Sequence, residues 1–471
     1  MSFGALGLEL AVLGVTLLVF LADLFAGEKR GLGALAALGL TAVLLASYAI
    51  DFSGTALFDT YVADSAGLFF KRVLLLAGII ASAGAMDHVD RVIPARQGEH
   101  HLMVLFSLCG MMLLTGARDL LLWVVAFELA GIPLAVLAGL HKDRRSTEAA
   151  LKLFLSGAAS TAVILYGISF LWGLSGDTAF SGLAAGAGEP LFALGVLLVL
   201  AGVAFKIGLA PFHLWVADTY EGAPTPAVAF MSVAPKIAVV ASLARLLGEG
   251  LADQIDVWLS PLLLLAVLTL IVGNLTAVTQ PDARRLLALS GVGHMGLMLL
   301  ALATGGPAGN AALLFYALAY VVTNMGAFLV VSAVVDARGD GALSAFNGLI
   351  HRSPALSLAM LVFLFSLGGI PFMVGFWAKL FVFWSAWLGG HAAIVVLGVL
   401  LAVLALFYYL RLARAIFMEA APEDDEAVPV GWPTLVALGI CGALTAGLGV
   451  FPGPFMDAAL EAARQMASFA P

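Results

Sequence analysis

Apolar windows about 20 residues long recur from one end of this chain to the other, and each is long enough to cross a bilayer as a helix. Inside lipid every backbone N–H and C=O must be paired within the protein, so only helices and closed barrels span it. The windows here are continuously apolar rather than alternating, which excludes a barrel. Of the 471 residues 62% are hydrophobic and only 11% are charged, more apolar surface than a soluble fold of this length can hide. The 52 glycines suit close helix packing in lipid. The expected fold is an all-α polytopic membrane protein.

Fourteen spans are expected, at 3–22, 32–50, 65–86, 101–117, 119–140, 148–173, 190–209, 226–247, 257–279, 284–303, 309–335, 355–388, 391–418 and 431–451. Two are interrupted. The seventh meets Gly208 and Pro211 and resumes towards Tyr220; the twelfth meets Gly368-Gly369-Ile370-Pro371 in mid-span. Broken helices five spans apart suggest two inverted five-helix repeats, spans 4–8 and 9–13, with an ion site near mid-membrane. The chain then divides into an N-terminal three-helix segment (1–100), a first repeat (101–250), a second repeat (251–420) and a C-terminal helix with an amphipathic tail (421–471).

The loops test this count. Alternate ones hold Lys29/Arg30, Arg91/Arg96, Lys142/Arg144/Arg145, Arg284/Arg285, Arg338/Arg352 and Arg411/Arg414, whereas the opposite set holds only Arg118, Arg245 and Arg464. This bias puts the first set in the cytoplasm and both termini outside. Lys71 and Arg72 fit neither set and are expected to snorkel from the third span. The first span lacks a basic flank and holds Glu9, so it reads as a retained helix and not a cleaved signal. Cys109 and Cys441 lie in separate apolar spans and read as inert buried thiols.

Function must reside in the charges that remain. Lys152, Lys206, Lys236 and Lys379 lie inside apolar stretches, as does Glu128. At about 2.5–3.5 kcal/mol each on insertion scales, four such lysines oppose insertion by roughly 10–14 kcal/mol. Glu128 in span five and Lys206 before the first break suit an ion pair whose loosening releases a proton; the alternative is a static interhelical salt bridge. Lys236 has no acid near it in sequence. Burial disfavours its charge, which suits a relay that takes and gives protons; the alternative is snorkelling. Lys379 follows the second break as Lys206 precedes the first, and would serve the other half-channel. Lys152 stands four residues after Glu148, a spacing often merely structural. His294 in GVGHMG can pass a proton between its ring nitrogens and join the half-channels, or be a satisfied core histidine. His213, beside the first break, would line a wet proton access path. His100 and His101 are expected at the interface, and Asp218 and Glu221 as loop charges. No nucleotide loop, haem signature, iron–sulfur cysteine set, metal-ligand cluster or nucleic-acid patch is present, so conduction rather than chemistry is what the residues support.

At this point a family resemblance emerges. APFHLWVADTYEGAPTPAVAFMSVAPK (Ala210–Lys236), EAALKLFLSG (Glu148–Gly157), FELAGIP (Phe127–Pro133), RRLLALSGVGHMG (Arg284–Gly296) and GGIPFMVGFWAKLFVF (Gly368–Phe383) resemble the N subunits of proton-pumping NADH:quinone oxidoreductase, respiratory complex I. The similarity runs over nearly the whole chain. It implies that Glu128 and Lys206 form the family's ion pair, that Lys236 is the central lysine and Lys379 the one near the exit, with Lys152 and His294 on the same axis. It implies no cofactor in this chain, and FMN, iron–sulfur clusters and quinone in partner subunits. It also implies neighbouring subunits M, K and J, the lipid bilayer, and a bacterial cytoplasmic (inner) membrane with both termini periplasmic. Phe372-Met373-Val374 and Trp377 are bulkier than the family's usual sequence at the second break, which would alter hydration there. A subunit of a multi-subunit Na+/H+ antiporter, with a similar lysine plan, is the alternative; YEGAPTP argues against it.

Overall fold

A computed structural model describes every residue except 1, 2, 26, 28, 422–425, 465 and 467–471. Its helices, in order, are α1 (Gly7–Phe25), α2 (Leu32–Ala49), α3 (Ser65–Val92), α4 (Gln97–Gly116), α5 (Leu120–Ala138), α6 (Arg144–Ser175), α7 (Pro190–Ile207), α8 (Leu214–Gly222), α9 (Thr225–Met231) and α10 (Ala234–Arg245). There follow α11 (Ile255–Val278), α12 (Ala283–Thr304), α13 (Gly306–Arg338), α14 (Leu349–Arg352), α15 (Pro354–Gly368), α16 (Val374–Leu388), α17 (Ala392–Met418), α18 (Trp432–Val450) and α19 (Gly453–Arg464). Thirteen stretches of the described residues are long and apolar enough to cross a membrane. The short apolar pair α15 and α16 supplies the split twelfth crossing, so fourteen crossings stand.

Both breaks are present and share one geometry. After α7, Gly208 (φ +70°) sends its N–H to Phe205 O, and Leu209 N–H reaches back to Ala204 O at 2.8 Å. After α15, Gly369 (φ +85°) bonds Ser366 O, and Ile370 N–H reaches Phe365 O at 2.9 Å. Each is a left-handed cap, favoured by glycine, that ends a helix within the apolar layer while pairing its last carbonyls. A second correspondence lies at the start of the second helix of each repeat. Asp119 caps α5 and bridges Ala179; Asp282 caps α12 and bridges Ala342. These positions are five crossings apart, hence at opposite ends of the bundle, as inverted repeats require.

Three features depart from the sequence reading. The eighth crossing, expected as one helix over 226–247, is interrupted at Ser232-Val233, so α9 ends and α10 begins two residues before Lys236. Pro235, at the second position of α10, has no N–H to continue the ladder. Second, a short antiparallel hairpin, β1 (Gly54–Ala56) with β2 (Tyr61–Ala63), stands before α3. Third, Lys71 does not snorkel. Its ammonium is fully buried, 2.9 Å from Glu9 Oε1 and 2.5 Å from the Tyr61 hydroxyl, which itself donates to Glu9. An acid on α1 makes staying inside cheaper than reaching the headgroups.

Burial is uneven. The most apolar window of α12 is wholly buried and that of α13 nearly so, whereas α1, α2, α6, α11 and α17 keep broad apolar faces exposed. The centre is thus protein and the rim is built for a non-aqueous surrounding. α19 continues the expected amphipathic tail from Gly453 to Arg464; the rest of the tail mostly lies outside the described residues. Cys109 and Cys441 are free and buried.

Candidate functional site: a buried polar axis

Glu128 sits on α5 and Lys206 on the last turn of α7, and α6 packs between them. Lys206 Nζ lies 2.9 Å from Glu128 Oε1. Thr161 of α6 joins them: its hydroxyl donates to Glu128 Oε1 at 2.6 Å and accepts from Lys206 Nζ at 3.0 Å. Sequence reasoning missed Thr161, since a threonine within a helix more often bonds the carbonyl four residues back, as this one also does to Gly157. The Lys206 ammonium also lies 5.8 Å from the Phe127 ring.

A cavity of about 270 Å³ opens beside this pair. Glu128 and Lys206 line one part of it, Tyr220, Pro235 and Lys236 another. Lys236 is 2% exposed, and its Nζ has no hydrogen-bond partner among the described residues. Its nearest aromatic face is Tyr220, 5.5 Å away. The interruption before α10 places this lysine in a first helical turn, and Asn324 of α13 donates to Ser232 Oγ at that interruption.

Beyond Lys236 the polar groups come from α12 and α13. A Cβ added at Gly291 would stand 3.6 Å from Lys236 Nζ and 2.7 Å from the Tyr320 hydroxyl, so both atoms flank one small space that only glycine leaves open. Tyr320 packs against His294 with centroids 5.2 Å apart and planes tilted by 31°. His294 Nδ1 is 2.6 Å from the Tyr316 hydroxyl and its Nε2 is 3.2 Å from the Tyr409 hydroxyl, so both ring nitrogens are engaged. The sequence singled out His294 but not these tyrosines, which look like core aromatics until α12, α13 and α17 are packed. A further cavity of about 20 Å³ is lined by His294, Asn274, Ser290, Tyr408 and Lys379.

Lys379 lies on α16 but reaches back across the second break. Its Nζ donates to Leu367 O at 2.6 Å and Gly368 O at 3.0 Å, the last carbonyls of α15. A cation at the negative end of a half-helix is well placed, and the unwound carbonyls gain a donor. Among the bulky residues near this break Val374 is fully buried, but Phe372 and Trp377 turn elsewhere. Phe372 is 75% exposed, and Trp377 donates its indole N–H to Gly449 O on α18.

Two expected residues lie apart from this set. Lys152 is more than a third exposed and binds Glu148 and Asp218, each at 2.8 Å. Asp218 and Glu221, expected as loop charges, lie on α8 and both bind Arg285, closing an ion network at the basic end of the bundle. His213 precedes α8 and is 9% exposed; its Nδ1 has no partner among the described residues, and it does not line the large cavity. His100 and His101 are 1% and 2% exposed, packed inside rather than at the interface.

Comparison with known proteins follows this geometry. The family model for the transmembrane part of NADH:quinone oxidoreductase and Mrp antiporters matches residues 117–405. NADH-quinone oxidoreductase subunit N of Moorella thermoacetica is 35% identical over 98% of this chain and 96% of its own length. That of Trichlorobacter lovleyi is 37% identical over 97% and 95%. A chain of respiratory complex I from Thermus thermophilus with bound aureothin superposes with a TM-score of 0.83 at 34% identity, covering 96% of this chain and 98% of that one. A chain of the Mrp complex from Dietzia gives a TM-score of 0.88 at 20% identity over 99% and 98%, a likeness of fold. On this footing the chain belongs to the subunit N family of NADH-quinone oxidoreductase, the antiporter-like membrane subunits of complex I.

Proposed function

We propose that this subunit carries protons through the membrane arm along Glu128, Lys206, Lys236, His294 and Lys379, driven by quinone reduction elsewhere in the complex. The observation that carries the reading is the large cavity: Glu128 and Lys206, joined by Thr161, line it together with Lys236, a buried lysine with no hydrogen-bond partner among the described residues. A cavity of about 270 Å³ holds several waters, and the smaller one near His294 about one, at ~30 Å³ per water in the liquid and a minimum near 10–15 Å³.

The residues then divide the work. Glu128 and Thr161 stabilise the ammonium of Lys206 while the pair is closed. When the pair opens, the uncompensated cation loses its proton to the cavity, where Lys236 can accept it. The space at Gly291 leads past Tyr320 to His294, whose two engaged nitrogens suit transfer without the ring leaving its site. Lys379, anchored on the carbonyls of α15, is the last cation on the path. Moving one charge against 100 mV requires about 2.3 kcal/mol, so the energy comes from the partners.

In this reading the chain holds no redox centre; FMN, iron–sulfur clusters and quinone belong to partner subunits, with M, K and J the expected membrane neighbours. The basic end, with Lys152 and His213 near the proton access, faces the cytoplasm, and both termini face the periplasm of a bacterial inner membrane. The test is proton-to-electron stoichiometry of the intact complex in proteoliposomes. Lys236→Gln and Glu128→Gln lower the ratio while the complex assembles and oxidises NADH; unchanged ratios in both overturn the reading.

A further inference from the structure

At the basic end of the bundle, away from the axis, three titratable side chains from three parts of the chain form an unbroken line. His88, near the end of α3, places Nδ1 at 2.8 and 2.9 Å from the two carboxylate oxygens of Asp336 on α13. Its other nitrogen, Nε2, lies 2.9 Å from Nε2 of His141 in the loop between α5 and α6. The imidazoles stack with centroids 5.1 Å apart and planes 25° from parallel. His88 is 4% exposed; His141 is partly exposed.

We propose that His141, His88 and Asp336 form a proton relay, an intake from the basic face separate from Lys152 and His213. The inference rests on the conducting function proposed above. A ring nitrogen facing a ring nitrogen at hydrogen-bond distance admits one proton between them, so one ring donates and the other accepts. A purely structural role for His88 needs only Asp336. The link to His141 adds a second imidazole that is itself partly exposed.

The transfer balances without another reactant. A proton from hydronium in the aqueous phase adds to His141 Nδ1, leaving water. The N–H proton at His141 Nε2 passes to His88 Nε2, and the one at His88 Nδ1 passes to Asp336. At each ring one N–H has formed and one has broken, one O–H has formed at Asp336, and both rings have exchanged tautomer; once Asp336 passes its proton inward, ring reorientation resets them. Inward of Asp336, Ser332 stands one turn along α13 and lines a cavity of about 10 Å³ with His88 and Asp336. The same helix carries Asn324, Tyr320 and Tyr316 of the axis.

Other charged groups face the line. Arg91 of α3 stands 3.8 Å from Asp336, Asp87 lines the same small cavity, and Asp143 follows His141 in the loop. His100 of α4 lies within electrostatic range of both rings. Burial, then His88, pull the proton affinity of His141 below that of an ordinary imidazole, against Asp143 and Asp336. This favours the neutral ring, with one N–H and one nitrogen free to accept.

The test uses the intact complex in proteoliposomes from pH 6 to 9. His88→Gln keeps a hydrogen bond to Asp336 but cannot hand a proton on; His141→Gly opens room for added imidazole. The expected result is a proton-to-electron ratio at least twofold lower in both variants, most marked at high pH, with imidazole restoring His141→Gly but not His88→Gln. Normal ratios in both, beside an impaired Lys236→Gln, overturn the relay and leave the axis standing. A normal Lys236→Gln overturns the axis itself. If His88→Gln assembles poorly, imidazole rescue of His141→Gly decides alone, since a structural role would show none.

Discussion

Thr161 offers the sharpest test of the axis, because valine has its shape without its hydroxyl. In Thr161→Val, Glu128 Oε1 loses its 2.6 Å donor and Lys206 loses an acceptor at 3.0 Å, while the direct 2.9 Å ion pair remains. A hydrogen bond to a charged group contributes about 1.5–3 kcal/mol. Glu128 is about a third exposed towards the cavity, so water replaces part of the loss. A net effect near 1–2 kcal/mol is therefore expected, roughly a 5- to 30-fold change in the balance between closed and open pair at 1.4 kcal/mol per decade. The assay is the proton-pumping rate per NADH oxidised in proteoliposomes. Thr161→Val should change it by that order, and Thr161→Ser, which restores the hydroxyl, should behave as the unmodified protein. If Thr161→Val pumps normally while Glu128→Gln does not, the hydroxyl is a bystander. If Thr161→Ser is as impaired as Thr161→Val, the methyl and not the hydroxyl matters, and the electrostatic argument is wrong.

Three further outcomes are expected. Lys379→Met leaves two carbonyls at the end of α15 without their donor, lowering stability by about 1–3 kcal/mol, and protease cleavage or hydrogen exchange at the 368–373 break should rise. Lys71→Met strands the Glu9 carboxylate among α1, α3 and the hairpin, a loss of about 3–5 kcal/mol in thermal stability that Glu9→Gln in the same chain should partly restore; equal stability of single and double variants would refute the coupling. Asp143 caps α6 through Ser146 N–H at 2.7 Å, and that bond holds its carboxyl below the usual range. A lowered folded-state value means the stabilisation is complete above the unfolded-state value near 4 and disappears as pH falls through the lower, folded one. Asp143→Ala should accordingly cost about 1 kcal/mol at pH 7 and show a smaller deficit in acid, read by exchange at the first turn of α6.

Much of the architecture was legible before folding was considered. Gly208 and Gly369 announced the two breaks because only glycine readily takes the left-handed cap that both require. Lysines amid apolar residues announced the axis because few residues oppose insertion so strongly. The interruption of the eighth crossing was not legible: 226–247 was read as one helix, and Asn324, which bonds Ser232 at the break, lies on another element. Phe372 shows the reverse error, since its bulk was assigned to the channel and faces outward.

The chain alone determined that there would be fourteen crossings and which ends of them gather the basic loops, because transfer free energy and insertion topology depend on local composition. Partnership was decided only in three dimensions. Lys71 was expected at the headgroups and found its acid on α1; Lys152 was weighed for the axis and lies in an ion network with Asp218; Lys236 found none among the described residues. Hydrogen bonds act over about 3 Å, and which side chains come that close is fixed by how helices far apart in sequence pack against one another.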